Sequence, residues 1–205
     1  MKVPKRPMAG IILAAGMSTR FGTTKQLAEV GGKHLLESVL DAALSSCLDR
    51  VVVVLGHRAE EISNTLKDHD SRDRLQILIN PDYQEGMSRS LRFGIDHIRK
   101  LFPSAMILLG DQPLIDANLI DHLVYRFRSS QKDICLPVCQ GRRGHPVIFS
   151  RRFYKAIMSV EGDIGARDIL SKNPDHILTV DISNSQIFLD VDTPADVEAL
   201  KSQLV

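Results

Sequence analysis

The chain has 205 residues, a length that suits one α/β domain and can bury a core without disulfides. Its 26 Lys and Arg residues balance 25 Asp and Glu residues, so net charge favours neither a nucleic-acid nor a membrane partner. No apolar run is long enough to span a bilayer. Cys47, Cys135 and Cys139 contain no Cys-x-x-Cys pair, which argues against a disulfide scaffold and for a reducing, cytoplasmic compartment.

Strand-like and helix-like segments alternate through the first two thirds of the chain. In order, they are a strand at Gly10–Ala14, a helix at Lys33–Ser46, a strand at Arg50–Leu55, a helix at Ala59–Lys67, a strand at Leu75–Ile79, a helix at Ser88–Lys100 with Ser88 as its N-cap, a strand at Ala105–Leu109 and a helix at Leu114–Arg128. This order predicts an α/β fold with a Rossmann-like, doubly wound, mostly parallel sheet.

The pattern is looser after residue 133. We predict strands at Ile134–Cys139, Pro146–Phe149, Ile177–Val180 and Ile187–Leu189, and helices at Ala166–Lys172 and Pro194–Gln203, the second capped by Thr193. Neither a repeat nor a linker interrupts the chain. The expectation is therefore a single domain over residues 1–205, with a nucleotide half at roughly 8–130 and an acceptor half at roughly 131–205.

The loop that follows the first predicted strand is the most informative segment. Small residues from Ala14 to Gly16 allow a sharp turn, and two cations, Arg20 and Lys25, follow it. Backbone N–H groups with a nearby Arg and Lys form a cradle for phosphates. The loop matches neither the Walker motif nor the dinucleotide fingerprint. The basic, apolar start of the chain also resembles a signal peptide, but Pro4 and Pro7 interrupt it and cleavage would separate the loop from its strand.

Acidic residues follow later strand-like segments and predict a metal site. Asp111 comes directly after a buried strand, and Asp192 lies in the segment Asp190-Val-Asp-Thr-Pro194. Mg²⁺ takes one or two protein carboxylates together with phosphate oxygens. Asp190 competes with Asp192 for this role, and each carboxylate also has a purely structural interpretation as a turn or helix-start residue.

Two turns in the second half indicate an anionic second substrate. One spans Gly141 to Phe149 and contains Arg143 and His145. The other spans Glu161 to Arg167 and contains Asp163. A solvated hairpin tip and an ordinary turn into a helix are the alternative interpretations.

Taken together, these motifs resemble the nucleotidyltransferases of the molybdenum-cofactor type, and most closely the molybdenum cofactor cytidylyltransferases. The matching segments cover nearly the whole chain in order and are Leu13-Ala-Ala-Gly16-Met-Ser-Thr-Arg20-Phe-Gly-Thr-Thr-Lys25-Gln-Leu, Gly86-Met-Ser88, Gly110-Asp-Gln-Pro113, Gly144-His-Pro-Val-Ile-Phe149, Gly162-Asp-Ile-Gly-Ala-Arg167 and Asp190-Val-Asp-Thr-Pro194. The resemblance implies a nucleotide-diphospho-sugar transferase-like fold and transfer of CMP from CTP to the terminal phosphate of molybdopterin, with release of pyrophosphate.

The resemblance also implies a role for each site residue. The catalytic residues would be Lys25, Arg20 and Asp111; the nucleotide-binding residues Leu13, Ala14, Ala15, Gly16, Arg20, Lys25, Gly86, Ser88, Ser90 and Asp111; the acceptor-binding residues Arg143, His145, Asp163 and Arg167; and the Mg²⁺ ligands Asp111 and Asp192. The implied partners are CTP or GTP and molybdopterin, with transient contact to a molybdoenzyme or its chaperone.

The choice of base follows from small differences within the first motif. Guanylyl-transferring relatives usually carry Gly in place of Ala14 and Ala15, and an Asp in place of Thr24, so this chain favours cytosine. Arg89 stands where the family usually has a small residue. A guanylyltransferase, transfer to a sugar phosphate and a non-catalytic cofactor chaperone remain alternative functions.

Overall fold

The computed structural model describes residues 6–18, 21, 22, 24–66, 73–162 and 165–203. The strands are β1 (Met8–Ala14), β2 (Glu29–Val30), β3 (Lys33–His34), β4 (Arg50–Leu55), β5 (Leu75–Ile79), β6 (Ser104–Leu109), β7 (Ile134–Cys139), β8 (Arg142–Arg143), β9 (Val147–Ser150) and β10 (Ile177–Asp181). The α-helices are α1 (Leu35–Ser45), α2 (Ala59–Thr65), α3 (Met87–Ile98), α4 (Ala117–Arg128), α5 (Tyr154–Ile157), α6 (Arg167–Lys172) and α7 (Pro194–Gln203). In the described ranges, no helix is both long and apolar enough to cross a membrane.

The main sheet has the strand order β10-β7-β9-β6-β1-β4-β5, with β8 paired to β7. Strand β1 pairs in parallel with both β4 and β6, and β4 pairs in parallel with β5. Strand β9 is antiparallel to β6 and to β7. The chain leaves β1 towards β4 and later returns to β6 on its other side, so strand order reverses between β1 and β6. Ligands of open α/β sheets bind at such a reversal, outside the carboxyl ends of the strands.

Both faces of the sheet are buried, as its Val- and Ile-rich strands require. Alternate residues of β1 point to opposite faces: Ile12 packs in the core with Leu40 of α1, and Ile11 packs in the core with Ile95 of α3. A third, smaller cluster lies apart from the two main ones and consists of Val30, Leu35, Val191, Val197 and Leu200. The doubly wound, mostly parallel fold predicted from the sequence is therefore confirmed.

Three local predictions are wrong. Lys33 and His34, predicted as the start of a helix, form β3, and α1 begins at Leu35. The segment predicted as a strand at Ile187–Leu189 overlaps a 3-10 helix at Ser185–Phe188. Ser88 is not an N-cap, because α3 begins one residue earlier and Gly86 occupies the cap position with φ 99°. Thr193 does cap α7: its hydroxyl oxygen accepts from Asp196 N at 3.3 Å, and Asp196 accepts from Thr193 N at 2.7 Å.

Asp133 joins the ends of β7, β9 and β10, away from the predicted site. It accepts hydrogen bonds from Ser150 Oγ at 2.8 Å and Arg152 at 3.2 Å, and lies 2.9 Å from His176 Nδ1. Burial raises the pKa of Asp133, but the hydrogen bonds from Ser150 and His176 and the charge of Arg152 outweigh it, so the net pKa is lowered.

We expect Asp133→Asn to cost about 1–2 kcal/mol of unfolding free energy at neutral pH. Because the folded pKa is below the unfolded value, the carboxylate stabilises the protein fully above about pH 4, and this is lost as the pH falls through the folded pKa. Urea denaturation at several pH values should show the wild type converging on the variant in acid. A difference that does not change with pH would contradict this account.

Candidate active site

A cleft of about 530 Å³ lies at the carboxyl ends of β1 and β6. Backbone atoms at the ends of these two strands form the bottom of the cleft. Gly110 N donates to Leu13 O at 3.0 Å, and a side chain at Gly110 would approach the Ala14 methyl group. The residues that line the cleft are Leu13, Ala14, Ala15, Gly16, Met17, Ser18, Lys25, Gln26, Tyr83, Gln84, Glu85, Gly86, Met87, Ser90, Leu109, Gly110, Asp111 and Asp192. The sequence-predicted phosphate loop and both predicted metal ligands thus border one cavity.

Lys25 connects the two predicted metal ligands. Its ammonium nitrogen lies 2.6 Å from Asp111 Oδ2 and 3.0 Å from Asp192 Oδ1. The side chain of Lys25 is only 15% exposed, so these charge-assisted contacts are poorly screened by solvent. Burial lowers the pKa of Lys25, but the two carboxylates outweigh it and raise the pKa above its usual value. Lys25 is therefore a fixed positive charge at the cleft wall.

The Asp111 and Asp192 carboxylates fit a divalent metal ion. Asp111 Oδ1 is buried and has no hydrogen-bond partner among the described residues, although a buried carboxylate oxygen normally has one. Within the same ranges, no group of three or more His, Cys, Asp or Glu side chains is arranged to hold a metal. Two carboxylates facing an open cleft suit Mg²⁺ or Mn²⁺, whose remaining ligands are phosphate oxygens and water.

Asp190, the alternative to Asp192, is held elsewhere. Its Oδ1 accepts from Gln112 Nε2 at 2.8 Å, and it is absent from the lining of the cleft. The backbone between the two aspartates is tied to the site, because Val191 N donates to Asp111 O at 3.0 Å. With this tether in place, Asp192 lies within hydrogen-bonding distance of Lys25, whereas Asp190 bonds to Gln112.

The segment Tyr83–Met87 and the start of α3 form the opposite wall. Ser90 lines the cleft, and its hydroxyl oxygen accepts from Asn80 Nδ2 at 3.1 Å. Ser88, predicted to border the nucleotide, is fully buried outside the cleft lining, and its hydroxyl donates to Glu161 O at 3.4 Å. Ser88 thus holds the 161–162 segment against α3 and does not face the cleft.

Arg89, the departure from the family pattern, also points away from the cleft. Its guanidinium pairs with Asp82 and lies 3.4 Å from Glu85 Oε2. Both acidic residues flank or belong to the 3-10 helix Tyr83–Glu85, which lines the cleft. Arg89 therefore holds this wall in place from behind.

The predicted acceptor-binding residues are spread over a neighbouring region. His145 and Arg167 line a smaller, mostly apolar cavity of about 90 Å³, which shares Leu13, Met87 and Leu109 with the cleft. Burial lowers the pKa of His145 to about 4, Asp111 partly opposes this shift, and Arg167 adds to it. His145 is therefore uncharged at neutral pH.

Arg143, which was also predicted to bind the acceptor, does not line this cavity. Arg143 is exposed in β8 on the hairpin. Arg20 and Asp163 lie outside the described residues, so their predicted roles remain predictions.

Comparison with known proteins identifies the family. The family model described as the MobA-like NTP transferase domain matches residues 10–177. The chain belongs to this family. Molybdenum cofactor cytidylyltransferase from Escherichia coli (strain K12) is 27% identical over 186 residues, 91% of either chain. Nicotine blue oxidoreductase from Paenarthrobacter nicotinovorans is 29% identical over 193 residues, 91% of this chain and 92% of that one.

Solved structures agree with the fold of this MobA-like transferase. The crystal structure of the Mycobacterium tuberculosis Rv0371c homologue from Mycobacterium sp. strain JC1 superposes with a TM-score of 0.83 at 28% identity, covering 96% of both chains. The protein is accordingly an enzyme of the nucleotidyltransferase class. Nucleotidyl transfer of this kind uses a divalent metal ion, and Asp111 and Asp192 remain its predicted carboxylate ligands.

The sequence interpretation assigned no role to several residues that shape the MobA-like site. Tyr83, Gln84 and Glu85 line the cleft, and Gln26 lies beneath the phosphate loop. Phe188 packs so closely on Gly144 that any side chain at that glycine would strike its ring. The motif Lys25-Gln-Leu and the Gly before His145 were visible signals, but the contacts depend on segments far apart in the chain.

Gly56 is a further position that the cleft requires. A methyl group there would overlap Tyr83 and lie 2.8 Å from Ala15 O, and both residues line the cleft. Since overpacking costs about 1–3 kcal/mol, we expect Gly56→Ala to weaken nucleotide binding about tenfold as the two walls separate. Calorimetric titration with a nucleoside triphosphate, after a thermal melt has shown the variant to be folded, measures this. Wild-type affinity in a folded Gly56→Ala variant would contradict this expectation, because it would show that the two walls of the cleft can separate without affecting nucleotide binding.

Proposed function

We propose that this MobA-like transferase moves CMP from CTP to the terminal phosphate of molybdopterin and releases pyrophosphate. The observation that carries the proposal is the buried Lys25 ammonium held by Asp111 and Asp192 at the wall of the cleft. One cation and two metal-ligating carboxylates converge there with a glycine-containing loop, which is the equipment needed to bind a triphosphate and its metal.

The proposed chemistry asks little of acid–base groups. An oxygen of the acceptor phosphate attacks the α-phosphorus of CTP, and the bond from that phosphorus to the bridging oxygen of pyrophosphate breaks. The attacking oxygen is already anionic, so positioning and charge neutralisation supply the catalysis. Lys25, joined by Arg20, donates hydrogen bonds to phosphate oxygens as their negative charge shifts towards the leaving group. A bound Mg²⁺ would supply further neutralisation of phosphate charge.

Cytosine is the proposed base because of residues on the strand side of the cleft. Ala14 and Ala15 line the cleft at the positions where guanylyl-transferring relatives usually carry glycine, and alanine is the larger of the two residues. Gly86 and Ser90 face them across the cleft and are the proposed contacts to base and ribose. A pyrimidine needs less room than a purine, which supports CTP over GTP.

The acceptor is proposed to lie on the side of His145 and Arg167, in the half formed by residues 131–205. A neutral His145 contributes hydrogen bonds and no charge, so attraction of an anionic acceptor falls to Arg143 and Arg167, with Asp163 as an additional contact. We also propose a cytoplasmic setting, with transfer of the product to a molybdoenzyme or its chaperone.

The direct test is pyrophosphate release by purified protein with molybdopterin, Mg²⁺ or Mn²⁺, and each nucleoside triphosphate in turn. We expect release with CTP, slower release with GTP, and none when molybdopterin is left out. Faster release with GTP would overturn the base assignment. Pyrophosphate release with sugar phosphates but not with molybdopterin would overturn the proposal that molybdopterin is the acceptor.

Two further outcomes would overturn the transfer reaction itself. Calorimetric binding of molybdopterin with no pyrophosphate formed under any condition would indicate a cofactor chaperone. Because one relative is named nicotine blue oxidoreductase, reduction of nicotine blue as a dye should be assayed in parallel. Dye reduction without nucleotidyl transfer would place the protein in that class.

A further inference from the structure

The side chain of Gln26 occupies an unusual place beneath the phosphate loop. It is only 3% exposed, although glutamine is mostly found on protein surfaces. Its Nε2 donates to Ala14 O at 3.2 Å and to Gly16 O at 3.3 Å. Its Oε1 accepts from Ser18 Oγ at 3.2 Å. One buried side chain therefore holds the end of β1 and both ends of the turn that follows it.

These hydrogen bonds fix the direction of the loop's N–H groups. In a trans peptide unit the C=O and N–H groups point in opposite directions across one plane. With the carbonyls of Ala14 and Gly16 held by Gln26, the N–H groups of Ala15 and Met17 point away from it. These two N–H groups are thereby turned to the same side of the loop, where backbone N–H groups can bind an anion.

The same segment also sets the position of the ammonium group. Gln26 follows Lys25 directly, in the 3-10 helix Lys25–Leu27. Lys25 N donates to Ser18 Oγ at 3.3 Å, and this is the hydroxyl that donates to Gln26. Loop and lysine are thus two parts of one hydrogen-bonded unit with Gln26 at its centre.

We propose that Gln26 is a positioning residue for triphosphate binding. It orients the backbone N–H groups of the Ala15–Ser18 loop and fixes the position of Lys25 relative to them. The inference rests on the proposed nucleotide-binding function. Gln26 has no assigned contact with the reacting atoms and acts through the loop. Its loss should therefore weaken binding of phosphates selectively, leaving the contacts to base and ribose intact.

The test compares phosphate-rich and phosphate-poor ligands on the same protein. Gln26→Met keeps the size of the side chain and removes its hydrogen bonds, whereas Gln26→Glu keeps the acceptor for Ser18 and turns an oxygen towards two carbonyls. Calorimetry with Mg²⁺ should give the affinity of each variant for CTP and for CMP. We expect the ratio of CTP to CMP affinity to fall at least tenfold in Gln26→Met and further in Gln26→Glu, with KM for CTP rising more than kcat falls.

Gln76→Met is the matched control, because Gln76 lies in β5 and bonds to His97 outside the cleft lining. It should leave the ratio unchanged. If Gln26→Met lowers the melting temperature but leaves the CTP to CMP ratio within twofold of the wild type, Gln26 is only a folding residue and the inference is overturned. Failure of the wild type itself to bind any nucleotide would instead overturn the proposed function.

Discussion

Replacing Lys25 with methionine is expected to lower kcat for nucleotidyl transfer by about 10²–10³-fold, since removal of one preorganised donor to a developing charge costs about that much. Methionine keeps the unbranched shape but lacks the cation that contacts Asp111 and Asp192. Steady-state pyrophosphate release at saturating CTP measures the effect.

The same variant should change how the protein binds metal without nucleotide. The ammonium of Lys25 compensates the two carboxylates, so its removal leaves two close negative charges. Titration with Mn²⁺ followed by electron paramagnetic resonance should show tighter binding than in the wild type. Lys33→Met is the control, because Lys33 is exposed and pairs with Asp41 at the surface. An equal loss of kcat in Lys25→Met and Lys33→Met would show that Lys25 is not part of the active site.

Asp111→Asn is expected to lower the rate at least about 10³-fold, because loss of metal-assisted charge stabilisation costs several kcal/mol. The asparagine preserves the volume of the side chain and the backbone acceptor for Val191 N. It removes the negative charge next to Lys25 and replaces one of the two carboxylate oxygens by an amide nitrogen, which is a hydrogen-bond donor and cannot bind a metal ion. Activity at increasing Mg²⁺ and Mn²⁺ should show whether higher metal concentration restores part of the rate.

Asp190→Asn is the control for the Asp111 experiment. Asp190 carries the same charge two residues before Asp192, but it bonds to Gln112 and does not contact Lys25. We expect a loss of no more than about 10–100-fold for this variant, as for a residue that supports a metal site without binding the metal. A loss as large as that of Asp111→Asn would show that Asp190, not Asp192, completes the metal site.

Hydrophobic runs were sufficient to predict the central strands. β4 has the predicted bounds, because a valine-rich segment buried on both faces has few alternatives. The edge strand β5 also has the predicted bounds, although most of its residues are only partly buried. The insertion of β9 between β6 and β7, antiparallel to both, was not predictable. The pairing of β9 with β6 joins residues 40 or more positions apart, and nothing local in Val147–Ser150 encodes the direction of the strand.

The order of the strands, more than any single motif, made it possible to predict from the sequence which loops form the site. The loops after β1 and β6 had to share an edge once the strands were parallel neighbours, so the meeting of Lys25 with Asp111 was foreseeable. Side-chain contacts between loops could not be foreseen from the sequence. The burial of Ser88 against Glu161 and the retention of Arg89 by Asp82 depend on how separate segments pack.

Because of the small third core cluster, the segments that carry the Asp111 and Asp192 carboxylates differ in local stability. Asp111 follows β6 in the centre of the sheet, whereas Asp192 is anchored through Val191 to a patch completed by Val197 and Leu200 of α7. A patch of this size opens at lower free energy than a central strand. Native-state hydrogen exchange should therefore reach the amides of α7 before those of β6. The metal site would then come apart by local unfolding at its C-terminal ligand while the sheet remains intact.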